Sequence, residues 1–129
     1  MKELLRCKTV QEAFRFLEKD DKRTLQETLE MCQIPAPSYQ EEKKAEYVFG
    51  KMQEAGLEDV HIDAVGNVLG VRKGNGNGPR IVLAGHTDTV FPMETDLTLK
   101  QDGNRYSCPG IGDDTRAVAE LLSLARAMN

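Results

Sequence analysis

The sequence has little that would place it at a membrane, on a nucleic acid or in a disulfide-stapled scaffold. No apolar run approaches the roughly 20 residues of a membrane span, and the start Met1-Lys2-Glu3-Leu4-Leu5-Arg6 lacks the long apolar core of a secretory signal. Basic residues are outnumbered, 17 Lys and Arg against 21 Asp and Glu, and they are scattered rather than striped, so there is no electrostatic footprint for a polyanion. Cysteine is scarce and odd in number. Cys7, Cys32 and Cys108 are too widely spaced for a disulfide framework or a Cys-pair zinc site, and reduced thiols are expected. Histidine is scarcer still, with only His61 and His86. These absences predict a soluble, cytoplasmic protein with neither nucleic acid nor membrane as a partner. What is present is 129 residues with 40% hydrophobic content, enough for one ordinary core, with no internal repeat or domain boundary.

Local patterns divide the chain. Thr9-Val10-Gln11-Glu12 reads as a capping box, followed by Val10, Ala13, Phe14 and Leu17 on one face of a first helix that ends near Lys19. Asp20 or Asp21 is expected to cap a second helix, carrying Leu25, Leu29 and Cys32, which must stop before Pro35. Ile34-Pro35-Ala36-Pro37 is a rigid connector. Ser38-Tyr39-Gln40-Glu41 reads as another capping box, opening a third helix with Ala45, Val48, Phe49, Met52 and Ala55 in a stripe that Gly56 closes. Residues 59–63 and 67–72 read as a hairpin around Ala64-Val65-Gly66, and residues 97–101 and 105–107 as another around Asp102-Gly103-Asn104. The glycine-rich run 73–79 would need a strand before it and a helix after it to cradle a phosphate; a strand pattern follows, so it reads as a loop. A last helix from about Asp114 carries Ala117, Val118, Leu121, Leu122, Leu124, Ala125 and Met128, apolar on most sides and in need of cover.

Chemistry concentrates in residues 81–114. Ile81, Val82, Leu83 and Ala84 form a continuous apolar run, which predicts a buried, central strand of a parallel α/β sheet. Gly85-His86-Thr87-Asp88-Thr89-Val90 follows at the carboxyl end of that strand, where open α/β sheets bind ligands. Side chains two apart in extended chain point the same way, so Asp88 can hold one nitrogen of His86 and leave the other for a metal. Cys108-Pro109-Gly110-Ile111-Gly112-Asp113-Asp114 then supplies a carboxylate pair. Plainer readings exist for each. His61-Ile62-Asp63 has the same spacing but sits in a hairpin strand beside Glu58 and Asp59, as a solvated residue would. His86 alone reads equally well as a hydrogen-bonded structural histidine, and one of Asp113 and Asp114 as a helix cap. Gly85 reads either as a site of close backbone approach or as a plain strand-end glycine.

Taken together, Ile34-Pro35-Ala36-Pro37-Ser38 with Glu41, Gly66-Asn67-Val68, Gly85-His86-Thr87-Asp88-Thr89-Val90 and Pro109-Gly110-Ile111-Gly112-Asp113-Asp114 resemble, in order, the N-terminal part of the co-catalytic zinc exopeptidases. That family includes aminoacylase, acetylornithine deacetylase, peptidase T and carboxypeptidase G. The resemblance implies an α/β fold with a mostly parallel sheet flanked by helices, residues 1–129 being the N-terminal portion of a catalytic domain with no lid domain. It implies two zinc ions, with His86 and Asp113 as metal ligands, Asp88 as the catalytic-site residue that orients His86, and a strained, cis Asp113–Asp114 peptide. Asp114 is left to serve the helix start. The implied activity is hydrolysis of a peptide or N-acyl amide bond, most simply as an exopeptidase, with a peptide or N-acyl amino acid as substrate. Thr115-Arg116-Ala117 departs from the small-residue run the family often has there, and no Glu-Glu pair or His follows Asp114 in these residues. The chain is therefore expected to hold half of a site, to bind zinc weakly, to show no turnover alone, and to self-associate through its uncovered surface. The reading from another class is a noncatalytic metal-binding or protein-interaction module.

Overall fold

Lys8–Met31, 24 residues without a glycine or proline, form one continuous helix, α1, in a computed structural model that describes residues 3–129. The break expected at Asp20 and Asp21 does not occur. A carboxylate caps a helix only where backbone amides are free, and in mid-helix they are already bonded. Asp20 instead accepts hydrogen bonds from Ser123 Oγ (2.7 Å) and Arg126 Nη2 (2.7 Å), and Asp21 meets Arg116 Nη2 at 3.4 Å. The Thr9 capping box is also not formed: Cys7 is the N-cap, with no side-chain cap bond, and Glu12 lies 3.7 Å from Lys8.

Two further helices, α2 (Glu42–Glu54) and α3 (Arg116–Ala127), complete the helical layer. The final stripe of α2 ends as its sequence predicts, with Gly56 in the left-handed region (φ +72°) donating to Gln53 O. Met31, Val48, Val118 and Ala119 form the core where the three helices meet, with Tyr47, Met52 and Val68 packed against it. Each large side chain fully buried there stabilises the fold by about 1.5–3 kcal/mol. Beside this core, Arg126 (6% exposed) donates to both oxygens of Glu27 and to Asp20, so the α1–α3 interface buries charge with its partners supplied.

Both sheets are two-stranded and antiparallel. Strands β1 (Glu58–Ile62) and β2 (Val68–Val71) pair around a turn in which the Asp63 carboxylate accepts from the amides of Val65 (3.0 Å) and Asn67 (2.9 Å). Just past β2, the Arg72 guanidinium donates to Ala55 O, Gly56 O and Ala125 O, carbonyls at the carboxyl ends of α2 and α3 that have no helical partner. Strands β3 (Lys100–Asp102) and β4 (Arg105–Ser107) form the second predicted hairpin, with Gly103 at φ +57° in its turn.

The class is therefore α/β, but the expected central strand is not observed. Residues 81–84 run outside any strand ladder among the described residues, with Ile81 79% and Val82 86% exposed rather than buried. An unbroken apolar run signals the need for cover on both faces, but the run cannot itself supply the neighbouring strands. One isolated parallel bridge, Pro37 to Thr89, joins the connector to the end of this segment. No helix among the described residues is long and apolar enough to cross a membrane.

Candidate functional site

Gly85 brings the segment onto the amino end of α3. A Cβ at this position would lie 2.9 Å from Asp114 Oδ2 and 3.3 Å from Val118 Cγ2, so the close-approach reading of this glycine has a physical basis. The next amide, His86 N–H, donates to that same Asp114 oxygen at 3.1 Å. Asp114 thus anchors the site backbone instead of capping the helix, whose N-cap is Thr115 with no side-chain cap bond. Asp113 stands on the wide turn Ile111–Thr115 with extended φ/ψ (−133°, 96°), and the Asp113–Asp114 peptide is cis. Gly110 opens this turn at φ +78°, and a Cβ there would meet Thr89 Cγ2 at 2.8 Å.

These contacts bring together His86, Asp88 and Asp113. His86 Nδ1 lies 3.1 Å from both the carbonyl oxygen and Oδ1 of Asp88, and Nε2 lies 3.0 Å from Asp113 Oδ1. His86 is about half exposed and Asp113 is 90% exposed at the side chain. Desolvation, the largest single influence on the imidazole, works to lower its pKa. The hydrogen bond to Asp113, the Asp88 carbonyl and the charges of Asp114 and Asp88 together outweigh it, leaving His86 above the ordinary histidine value. The Asp88 carboxyl is held below its ordinary range first by the Ser38 hydroxyl, against partial burial and with help from His86. His61 lies apart, with Nδ1 2.8 Å from Asp59 O and its side chain about half exposed.

Ser38, like Asp114, takes a part that sequence reasoning does not assign to it. Ser38 Oγ donates to Asp88 Oδ2 at 2.6 Å across 50 residues, and the predicted Ser38–Glu41 capping box is absent. Glu41 is the N-cap of α2, and its Oε1 accepts the Tyr39 amide at 2.7 Å. The two uses of Ser38 have the same local sequence, so only the long-range contact distinguishes them. Behind this connector, Cys108 Sγ lies 3.2 Å from Cys32 O, and all three cysteines are free thiols. Burial, reinforced by the contact with Cys108, pushes the Cys32 thiol up to about 12. Burial likewise lowers the pKa of the neighbouring Lys44 ammonium, against the pull of Cys32, Cys108 and Asp88.

The donor set can be tested for a metal on its own chemistry. With the ring proton on Nδ1, where Asp88 accepts it, His86 Nε2 presents a lone pair to an Asp113 carboxylate oxygen 3.0 Å away. Two acceptors at that separation require a proton or a cation between them. An imidazole nitrogen backed by a carboxylate, with a second carboxylate beside it, fits zinc. Among the described residues no group of three or more His, Cys, Asp or Glu is arranged to hold a metal.

No family model matches the chain. A Pyrococcus abyssi protein named as a LysW-lysine/LysW-ornithine hydrolase is 46% identical over 61 residues, 47% of this chain. The cytosol non-specific dipeptidase of Escherichia coli is 45% identical over 70 residues, 51% of the chain, and the succinyl-diaminopimelate desuccinylase of Corynebacterium glutamicum 33% over 82 residues, 63% of the chain. The matched stretches make the chain similar to part of these three proteins. All three names describe hydrolases of the peptidase and amidohydrolase kind. The matched stretches cover 17%, 14% and 22% of those proteins' own lengths, so the chain spans well under two thirds of the curated relatives it matches.

Proposed function

We propose that this chain is the N-terminal part of a co-catalytic zinc exopeptidase and carries part of a dinuclear zinc site that hydrolyses a peptide or N-acyl amide bond. The observation that supports this most directly is the 3.0 Å approach of His86 Nε2 to Asp113 Oδ1 with Nδ1 already committed to Asp88. In this reading His86 and Asp113 are metal ligands and Asp88 fixes the imidazole tautomer. Asp114 holds the His86 backbone in place through its amide. Zinc, when bound, supplies an activated water and polarises the scissile carbonyl. The other ligands and a proton-transferring carboxylate would come from outside these residues, which makes residues 1–129 the N-terminal portion of a catalytic domain. The same reading includes a mostly parallel sheet in the complete catalytic domain, a cytoplasmic setting and self-association through the apolar run 81–84, which lies exposed outside any strand ladder among the described residues.

Titrating the 129-residue chain with zinc by calorimetry, beside His86→Ala and Asp113→Ala, tests the ligand assignment. Dipeptides and N-acyl amino acids test the activity, on this chain and on any longer product of its reading frame. Weak zinc binding lost in both variants, with turnover confined to a longer product, is expected. Zinc binding unaffected by both substitutions would overturn the site. A longer product that binds zinc and hydrolyses neither substrate class would overturn the activity in favour of a noncatalytic metal-binding module.

A further inference from the structure

We propose that Ser38 is a positioning residue for this site, its hydroxyl holding the Asp88 carboxylate in the one orientation that directs the His86 ring. The inference deepens the metal-site reading and rests on it. Asp88 has two carboxylate oxygens, and both are committed: Oδ2 accepts from Ser38 Oγ at 2.6 Å and Oδ1 faces His86 Nδ1 at 3.1 Å. Without the first contact, an Asp side chain on an extended, partly exposed segment would rotate about its side-chain torsions. The imidazole would then lose the acceptor that fixes which nitrogen carries the proton.

The backbone shows that the contact is set up from both sides. Thr89 N–H donates to Ala36 O at 2.7 Å, and the Pro37–Thr89 bridge aligns the two segments in parallel, placing Ser38 beside Asp88. Directly after Ser38 the chain turns sharply. Gln40 N–H returns to Pro37 O at 2.9 Å, Tyr39 takes a positive φ of 70°, and the Tyr39 amide is held by Glu41 Oε1. A residue other than glycine in the left-handed region persists where its surroundings hold it there. The turn keeps Ser38 off the first turn of α2, where its hydroxyl would otherwise cap, and aims it across the site. The local sequence uses a good capping residue for something other than capping, and Asp88 is the partner it reaches.

The test uses the full chain with zinc alone as the probe, comparing Ser38→Ala and Ser38→Thr with the parent protein. Long-range nitrogen–proton NMR of the His86 ring in metal-free protein reads the tautomer directly, and calorimetry reads zinc affinity. Ser38→Ala is expected to shift His86 from predominantly Nδ1–H to a mixture of tautomers and to weaken zinc by about 10–100-fold, the usual size of an outer-shell loss at a metal site. Ser38→Thr, which keeps the hydroxyl, is expected to restore both. An unchanged tautomer in Ser38→Ala, or failure of Ser38→Thr to restore it, would overturn the role of Ser38. A parent chain that takes up no zinc would instead overturn the metal reading, while the tautomer comparison still decides whether Ser38 orients the ring.

Discussion

Arg126 and His86 are each held by two carboxylates, yet they sit in opposite surroundings. Arg126 lies between Glu27 and Asp20, with all three side chains nearly closed off from solvent at 5%, 2% and 10% exposure. His86 lies between Asp88 and Asp113 with 53% of its side chain exposed, and 90% of Asp113. The first arrangement exists in a desolvated interface, where losing one partner strands the others. The second is bathed in water, where an ion pair contributes little to stability but its geometry stays open to an incoming ligand. The same chemistry therefore does two jobs, and solvent decides which.

The largest test of that contrast is Arg126→Met, which preserves bulk but leaves Glu27 and Asp20 without their cation. A loss of about 3–5 kcal/mol is expected in denaturant unfolding. Leu122→Ala, at a position 2% exposed in α3, is expected to cost about 2–5 kcal/mol. Gly85→Ala forces a Cβ to within 2.9 Å of Asp114 Oδ2. It should cost about 1–3 kcal/mol and release the His86 amide, seen as faster hydrogen exchange at that residue. Val82→Lys, on the 86% exposed run, is expected to stay within about 0.5 kcal/mol; a loss there equal to that of Leu122→Ala would erase the distinction between core and open segment.

The smallest effect is in the pH dependence. Glu30 is held below its ordinary pKa by hydrogen bonds from Gln26 and the Tyr47 hydroxyl, and burial together with Glu30 raises the pKa of Tyr47. A depressed carboxyl contributes stability that is present above its unfolded pKa and disappears as pH falls through the folded one. A raised phenol contributes stability that is present below its unfolded pKa and disappears as pH rises through the folded one. The contribution of this pair to stability should thus be flat between the ordinary Glu and Tyr ranges and fall on both sides. Tyr47→Phe, followed by chemical denaturation across pH, should weaken the acid limb and remove the phenol's contribution to the alkaline one.

Features specified by neighbours in sequence are legible in the chain itself. The α2 stripe closed by Gly56, the turn at Asp63 and the Asp102-Gly103-Asn104 hairpin all follow from residues within one or two turns of each other. The spacing of His86 and Asp88 belongs to the same class, since extended chain places alternate side chains together. Asp20 invites a wrong reading because a carboxylate before a helical stripe looks the same whether it caps the helix or lies inside it; what settles the matter is Arg126, 106 residues away. Residues 81–84 mislead because a hydrophobic run states a demand for cover and not its source. Ser38 and Asp114 escape notice as site residues for a related reason: each has a good local use as a cap, and their observed partners lie 50 and 28 residues distant.

The hydrogen bond from Thr89 N–H to Ala36 O also bears on the order in which the molecule assembles. It closes a chain segment 53 residues long, for which the length-dependent loop entropy is about 3–4 kcal/mol. A single backbone bond does not offset that cost, so the staple can hold only after α2 and its hairpin have drawn the intervening chain together. Helical association should therefore precede registry at Ser38 and Asp88 during refolding. In native-state exchange the Thr89 amide should open by a local excursion that leaves the amides of α1 and α3 protected, making the loss of ring alignment an early, reversible step well short of global unfolding.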